Sequence, residues 1–507
     1  MEETRPIRRR NAAFATFAGS TATTLVASAQ ALLLMPLYLS HIGPRLYGAW
    51  LASGDLLVFM LAFDMGIPNL IIQRVGAALA QNDRRAIGAY FGTGAVALLT
   101  FAVLLGAGLF SISPFIAGWM RIQGPQAITL RGAFLLDSGA ICLMLVNYVF
   151  QGLARGLQET TAVNASAFAG TLIGFCVTLA MLLHGHGVWS IAVGLAVRSG
   201  VALTGSIGFL LFGIDREIRR SIRIDREVAK EYWRISPPMF ISGLGYTLMN
   251  DSQVLLAATV LGPESAAVFA LTRKAADMAG SILDAIGQAS YGGFAHLFAT
   301  GDLPKSRSIY REIIAVYLGI GITSMAAYLA VNPSLVGVWA APKMFGGALL
   351  TALLAAATLT TGWAYLNLNL YRSTNHHKAA SAALLIECLC RVPLMYALLR
   401  WLGLPGLAIG AISTSVISGI WSTTRILRLL PGIPDAENRA VRIWGSRAAV
   451  LSLGLFLCCS GVRPSWLFVL IAGSSVAVIG GLTFLGIDPL LGRLRSLLGG
   501  KLAGVRS

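Results

Sequence analysis

The sequence predicts an all-α polytopic membrane protein with about 14 transmembrane helices, in which two six-helix pseudo-symmetric lobes precede two extra C-terminal helices. Three observations support this fold class. Of the 507 residues, 56% are hydrophobic and only 12% are charged, which is too apolar for ordinary soluble domains. Apolar stretches of roughly 20 residues, enough to cross the hydrocarbon core as a helix, recur along the whole chain. Short segments of the first half also recur in the second half.

The apolar stretches divide the chain into fourteen predicted spans. These are residues 12–39, 46–74, 86–111, 130–153, 160–183, 188–213, 235–260, 265–298, 309–331, 346–371, 379–400, 405–430, 443–461 and 466–486. The spans alternate in direction, so the loops between them alternate between the two sides of the membrane.

The distribution of Lys and Arg predicts the orientation, because cytoplasmic loops carry an excess of these residues. With the N-terminus in the cytoplasm, and with residues near a span end counted with the adjoining loop, 29 of the 39 Lys and Arg residues fall on the cytoplasmic side, 6 fall on the outer side, and the other four lie deeper inside spans. We therefore expect both termini in the cytoplasm. The same distribution explains the net charge of +17 without nucleic acid as a partner.

An internal repeat relates the first six spans to the next six. The segment HIGPRLYGAW (41–50) resembles VLGPESAAVF (260–269) at an offset of 219, and GVWSIAVG (187–194) resembles GLPGLAIG (403–410) at an offset of 216. Because the repeated unit has an even number of helices, both copies share one orientation, with a pseudo-two-fold axis along the membrane normal. Two such lobes typically enclose a central substrate site.

The repeat predicts four segments. Residues 1–213 form the N-lobe, 214–234 a charged cytoplasmic linker, 235–430 the C-lobe, and 431–507 the last two spans with a cytoplasmic tail. The linker carries seven basic and five acidic residues. We expect it to be a solvated connector on the membrane surface.

Within the eighth span, residues 268–288 read VFALTRKAADMAGSILDAIGQ and carry four charges. Each charge is costly to place inside a membrane. Its polar side chains fall within an arc of about 60°. They are Arg273, Asp277, Asp284 and Gln288, with Lys274 at the edge of the arc. One interpretation is the lining of a water-filled cavity. The other is a structural ion pair between Arg273 and Asp277, which would leave Lys274 and Asp284 unexplained, so the cavity is favoured.

Other spans carry polar residues that fit the same cavity. Span 46–74 contains Asp55 and also Asp64, and the repeat aligns Asp55 with Lys274. The complete predicted substrate-binding set is Arg198, Arg273, Lys274, Asp55, Asn250, Asp251, Asp277 and Asp284. Glu387 and Arg391 stand four residues apart, as an ion pair that holds helices together would. Asp137 lies close to the outer end of its span, where it could cap the helix or reach water.

The chain resembles the O-antigen (Wzx-type) oligosaccharide flippases of the multidrug/oligosaccharidyl-lipid/polysaccharide exporter superfamily. The resemblance rests on the fourteen spans, the six-helix repeat, and the segments PLYLSHIGPRLYGAW (36–50) and LGPESAAVFALTRKA (261–275), and it covers essentially the whole chain. It implies a transporter, and not an enzyme, in the bacterial cytoplasmic (inner) membrane. That transporter would turn an undecaprenyl-diphosphate-linked oligosaccharide from the inner to the outer leaflet by alternating access, for surface polysaccharide synthesis.

The resemblance also implies roles for the polar residues. Arg273, Lys274 and Arg198 would bind the diphosphate, and the carboxylates would contact sugar hydroxyls or a coupling ion. Membrane lipids and polysaccharide assembly proteins are further implied partners. The first span lacks the cationic residues of the related peptidoglycan-precursor flippase, which argues against that substrate.

Two other classes stay open. A cation-coupled multidrug antiporter of the same superfamily is the main alternative, although the first span lacks the carboxylate that such antiporters often carry. A membrane-embedded polysaccharide polymerase or glycosyltransferase would need acid, base or metal ligands in a sizeable outer loop, and the longest outer loop, 112–130, has only Arg121 as a charged residue. The sequence contains no nucleotide-binding motif and no metal-binding cysteine spacing, so we expect no cofactor.

Overall fold

The protein is helical throughout the part of the chain that the structure describes. In this computed structural model the described residues are 26, 30, 33–61, 64–299 and 301–430. Most of the first predicted span therefore lies outside the described residues, as do the spans predicted at 443–461 and 466–486 and the tail. The described residues contain no strand, and the chain is an all-α polytopic membrane protein, as the sequence predicts.

The described helices are numbered α1 to α14 in chain order. They are α1 (33–41), α2 (Pro44–Leu61), α3 (Ile67–Ala80), α4 (Arg84–Trp119), α5 (Pro125–Leu157), α6 (Thr161–Leu183), α7 (Trp189–Gly208, extended by a π-helical turn Phe209–Gly213), α8 (Arg216–Arg220), α9 (Arg226–Leu261), α10 (Pro263–Ala299), α11 (Leu303–Trp339), α12 (Ala348–Ser373), α13 (His377–Leu402) and α14 (Pro405–Leu429).

Eight of the described helices are long and apolar enough to cross a membrane, namely α4 to α7 and α11 to α14. Helix α4 shows why: several of its apolar side chains are exposed, among them Val103, Leu104 and Phe110, each with an exposed fraction of 63%. Exposed side chains of this kind suit contact with lipid. Helices α9 and α10 have 36 and 37 residues but carry more charge.

The turns that the repeat pairs have the same local geometry. Gly43 and Gly262 both have a positive φ, of 84° and 102°, and each directly precedes a proline that begins a helix, α2 in one case and α10 in the other. Gly187 and Gly403, at φ 55° and 68°, likewise precede α7 and α14. Such backbone favours glycine, and proline fits the first turn of a helix, so the sequence repeat corresponds to repeated turns.

The prediction of one helix over 46–74 is wrong, because the structure divides this span into α2 and α3. Met65 and Gly66 adopt left-handed backbone with φ 52° and 68°, which a helix cannot contain, and Pro68 then lies in the first turn of α3. The repeat-equivalent helix α10 runs without a break from Pro263 to Ala299. The two halves of the chain therefore differ at this point.

The described chain divides into two compact units, one ending at Ala267 and the other beginning at Val268. Helix α5 is central in the first unit, where it packs against α2, α3, α4, α6 and α7, while α9 packs along α2. In the second unit α14 packs against α12 and α13, and α11 packs against α12. The lobe boundaries that the repeat predicts stay a prediction.

The charged linker, expected to be a solvated connector, is docked onto α4. Ser221 Oγ donates to the carbonyl of Arg84 at 2.7 Å, and the backbone N–H of Asp225 donates to Thr93 Oγ1 at 2.9 Å. A Cβ atom at Gly88 would lie 2.4 Å from the backbone of Ser221, so only glycine allows this approach. Helix α9 accordingly begins at Arg226, nine residues before the predicted start at 235.

Candidate functional site

The eight predicted site residues divide equally between the two compact units. Asp55 on α2, Arg198 on α7, and Asn250 and Asp251 on α9 belong to the first unit. Arg273, Lys274, Asp277 and Asp284 all lie on α10 in the second unit. That the eight residues line one shared cavity stays a prediction.

Arg198 lies midway along the membrane helix α7 in the first unit. Its side chain is half-buried on α7, and it forms no ion pair within the described part of the chain. Tyr148 on α5 lies within electrostatic range of Arg198, and also within range of Asp64 and Arg155. A guanidinium group in this setting is available to an anionic ligand.

Asp64 lies at the break between α2 and α3. Its Oδ1 accepts a hydrogen bond of 2.8 Å from the backbone N–H of Gly66, which stabilises the left-handed turn there. Non-helical backbone at membrane depth is tolerated where it lines a cavity or is buried in protein, and transporters use such breaks in their binding sites. Asp64 at the break and Arg198 are both within electrostatic range of Tyr148, which the sequence analysis missed because these residues are distant along the chain.

Helix α10 carries the polar face of the second unit. Arg273 Nε donates to Asp277 Oδ1 at 2.5 Å, so the ion pair predicted as one of two interpretations is present. The Asp277 side chain nevertheless keeps an exposed fraction of 42%. Lys274 and Asp284 are half-buried, and Lys274 forms no ion pair within the described residues. The Arg273 to Asp277 pair therefore does not account for the whole polar face.

Hydrogen bonds hold the preceding turn of α10 in place. The carbonyl of Thr272 accepts from Tyr328 Oη at 2.9 Å and from Asn332 Nδ2 at 3.2 Å, both on α11. Thr272 Oγ1 in turn accepts from the backbone N–H of Gly346 at 2.9 Å. Three contacts at Thr272 fix the position of the adjacent Arg273.

The other candidates of the first unit lie on α2 and α9, which pack against each other. Asp55 and Asp251 are both half-buried, and both have interaction partners. The side chain of Asn250 lies outside the described part of the structure.

Asp137 neither caps a helix nor reaches water. Its residue is only 2% exposed on α5, and Trp50 Nε1 on α2 donates to its Oδ2 at 2.9 Å. Its Oδ1 is buried without a hydrogen-bond partner in the described chain. Burial of a charged carboxylate with one neutral donor is costly, so packing alone does not explain an aspartate at this position.

Glu387 and Arg391 form the structural pair that their spacing predicts. Arg391 is 1% exposed, and its Nη2 donates to Glu387 Oε1 at 2.5 Å and also to Ser415 Oγ. Its Nε donates to Thr414 Oγ1 at 2.9 Å. Because all these partners lie in α13 and α14, the network joins the two helices and leaves the guanidinium unavailable to a ligand.

Among the described residues, no group of three or more His, Cys, Asp or Glu side chains could hold a metal ion. The described cysteines, Cys142, Cys176, Cys388 and Cys390, are free thiols.

Comparison with known proteins identifies both a family and a fold. The model of a family described as polysaccharide biosynthesis protein matches residues 56–341, more than half of the chain. No curated protein matches the sequence.

Solved structures of transporters share the fold. An inward-facing multidrug resistance MATE family transporter of the MOP superfamily superposes with a TM-score of 0.67 at 15% identity, over 79% of this chain and 95% of that chain. An outward-facing multidrug resistance MATE family transporter superposes with a TM-score of 0.61 at 15% identity, over 83% of this chain and 96% of that chain. The third is a MOP superfamily transporter from Pyrococcus furiosus Vc1, described as having a binding pocket of reverse polarity. It superposes with a TM-score of 0.56 at 14% identity, over 84% of this chain and 96% of that chain. The chain therefore has the MATE transporter fold.

Proposed function

The chain belongs to the polysaccharide biosynthesis protein family, and from this premise we propose that it is a flippase for a lipid-linked oligosaccharide. The substrate is an undecaprenyl-diphosphate-linked saccharide unit, which the protein moves from the inner to the outer leaflet of the cytoplasmic membrane. The movement is alternating access of an N-lobe (1–213) and a C-lobe (235–430), with both chain termini in the cytoplasm. The proposal involves transport only, with no bond made or broken.

The observation that carries this proposal is the availability of Arg198. An arginine inside a membrane helix is costly unless its charge is balanced, and Arg198 has no carboxylate partner within the described residues. A diphosphate would balance it through charge-assisted hydrogen bonds, which suit the planar guanidinium group. Tyr148, within electrostatic range of Arg198, offers a hydroxyl for the same oxygens.

Helix α10 supplies the second part of the proposed site. Lys274 has no ion pair in the described chain, and Arg273 stands beside it with Asp277 as its partner. We assign the two cations to the diphosphate and the carboxylates of Asp277 and Asp284 to sugar hydroxyls or a coupling ion. Asp55 and Asp251 are likewise assigned to sugar hydroxyls or a coupling ion, and Asn250 is the remaining member of the proposed substrate-binding set.

A cation-coupled multidrug antiporter is the second candidate function. The observation that favours it is the buried carboxyl group of Asp137, whose Oδ1 has no hydrogen-bond partner in the described chain. A buried acid of this kind can exchange a proton with the driving gradient. The solved transporters that share the fold are described as multidrug transporters in two of the three cases above.

Deletion of the gene in its native host distinguishes the two candidates. The flippase predicts loss of surface polysaccharide together with accumulation of lipid-linked oligosaccharide on the inner leaflet. Complementation with the wild-type gene should restore the polymer, and complementation with Arg198→Gln should not. Arg216→Gln serves as the matched control, because Arg216 is an exposed arginine on α8 outside the membrane helices. Intact polymer with increased sensitivity to cationic drugs would instead support the antiporter.

A further inference from the structure

An open cavity of about 890 Å³ lies where the docked linker meets the first turn of α4. Arginines make up half of its lining. The lining residues are Asn82, Asp83, Arg84, Arg85, Glu217, Arg220, Ser221 and Arg223. None of these lining residues belongs to α7 or α10, and the proposal that follows does not rest on the flippase function.

The acidic side chains in the lining are already engaged. Asp83 is the N-cap of α4, and its carboxylate accepts from the backbone N–H of Ala86 at 3.0 Å. Glu217 forms an ion pair with Arg84, whose Nη1 also lies 3.2 Å from Asp215. Neither acid is therefore left to neutralise the remaining arginines.

Two guanidinium groups of the cavity lack a counter-charge. Arg85 and Arg220 are both exposed, and neither forms an ion pair within the described part of the chain. The lining holds four arginines against two acids, so its net charge is positive. The N-terminal end of α4, with its partly positive backbone dipole, adds to this potential.

The walls of the cavity are held in place by backbone contacts. Ser221 Oγ donates to the carbonyl of Arg84, and a Cβ atom at Gly92 would lie 2.6 Å from the carbonyl oxygen of Arg223. Farther along the docked segment, Tyr232 Oη donates to the carbonyl of Tyr90 at 2.7 Å. The backbone of the cavity walls is therefore held in place before any ligand arrives, which lowers the entropy cost of binding.

The surroundings of the cavity suit a lipid. Helix α4, whose apolar surface crosses the membrane, begins in the cavity wall at Arg84. Two large apolar side chains flank the lining in the chain, Phe212 with an exposed fraction of 88% and Ile224 with 67%. A basic cavity beside exposed apolar side chains at the end of a membrane helix matches the headgroup and the first part of the tail of an amphiphile.

We propose that this cavity binds the phosphate-bearing headgroup of an anionic membrane lipid. Arg85 and Arg220 bind the phosphate oxygens, and Asn82 and Ser221 provide neutral polar contacts at the rim. Exposed Phe212 and Ile224 lie against the acyl chains. The bound lipid thereby fastens the docked linker to the membrane surface.

The test uses the full-length protein in detergent with added lipid. Retention of dioleoylphosphatidylglycerol and of zwitterionic dioleoylphosphatidylcholine is measured by native mass spectrometry for the wild type and for an Arg85→Gln/Arg220→Gln variant. The matched control is Arg216→Gln/Arg226→Gln, which removes two exposed arginines of the same segment outside the lining. Each basic residue near an anionic lipid surface contributes about 1 kcal/mol, so the first variant should lose about 30-fold in apparent affinity for the anionic lipid. The control variant should keep the wild-type affinity for the anionic lipid.

Four results would overturn the proposal. Equal retention of the anionic lipid by wild type and Arg85→Gln/Arg220→Gln would show that the cavity is not the site, and an equal loss in the control would show a non-specific charge effect. Displacement of the lipid by inorganic diphosphate at comparable concentration would assign the site to a free anion. Salt provides a measurement without any variant: wild-type retention must weaken as ionic strength rises, and retention that does not change contradicts the proposal.

Discussion

Two arginines of the membrane helices should respond in opposite ways to the same substitution. Arg198 has no carboxylate partner within the described residues, whereas Arg391 is fully buried against Glu387, Ser415 and Thr414. Replacement by Gln removes the charge at either position and keeps a polar side chain. We therefore expect Arg198→Gln to remain folded and lose transport, and Arg391→Gln to lose stability.

The contacts of each arginine determine the size of the expected change in stability and in substrate affinity. Removing one member of a buried ion pair leaves the other charge uncompensated, at a cost of about 3 to 5 kcal/mol. Arg391→Gln should therefore unfold at a temperature well below that of the wild type. Arg198→Gln strands no carboxylate and should change the free energy of unfolding by less than about 1 kcal/mol. A hydrogen bond to a charged group contributes about 1.5 to 3 kcal/mol, so the loss of Arg198 should lower apparent affinity for a diphosphate substrate about 10- to 150-fold.

The assay pairs thermal unfolding of each purified variant in detergent with a transport measurement on the same preparation. Arg198→Lys tests the role of geometry, because lysine keeps the charge but lacks the planar fork. Normal transport by Arg198→Gln would refute the diphosphate role. Unfolding of Arg198→Gln to the same extent as Arg391→Gln would show that Arg198 is a structural residue.

Three further substitutions have expected outcomes. Arg273→Ala should impair transport while the protein remains folded and inserted, because Asp277 is 42% exposed and does not become a fully buried charge. Trp50→Phe removes the one donor that the described residues provide to the buried carboxyl of Asp137, and it should lower stability by about 1 to 3 kcal/mol, measured by thermal unfolding. Gly92→Leu should displace the docked linker, because a Cβ there would lie 2.6 Å from the carbonyl oxygen of Arg223, and limited proteolysis should then cleave residues 221–225 faster.

Each of these has a result that contradicts it. Transport at wild-type rate by Arg273→Ala removes that residue from the site, and failure of this variant to fold assigns the ion pair a structural role. An unchanged melting temperature in Trp50→Phe would mean that the carboxyl finds another donor. Gly108→Leu is the control for the linker, since a Cβ at Gly108 meets nothing within 4 Å, and equal cleavage in Gly92→Leu and Gly108→Leu would refute the docking argument.

The sequence is most informative at turns and least informative about backbone breaks. The repeated Gly-Pro pairs at 43–44 and 262–263 predict equivalent turns, and both glycines have the positive φ that explains their presence. The division of span 46–74 was not predicted, because apolar residues continue on both sides of it. Gly66 followed two residues later by Pro68 was the available signal, since it matches a left-handed turn before a new helix.

Contacts between distant segments were harder to predict than local ones. The Glu387 to Arg391 pair follows directly from its spacing, and its presence is confirmed. The neighbourhood of Arg198 and Tyr148 joins α7 to α5, and no local pattern reports it. The linker was expected to be solvated because of its charges, whereas the signal of a close approach lay in Gly88 and Gly92 of a different helix.

Reconstitution directly measures whether the protein moves a diphosphate-linked lipid between leaflets, as we propose. Purified protein is placed in liposomes that contain a fluorescent polyprenyl-diphosphate-linked saccharide, and a membrane-impermeant reductant quenches the label on the outer leaflet. We expect wild-type protein to make the label of both leaflets accessible, and Arg198→Gln to leave the inner half protected as in protein-free liposomes. Protection of the inner half by wild-type protein, in liposomes where it still exports a cationic dye, would contradict the claim.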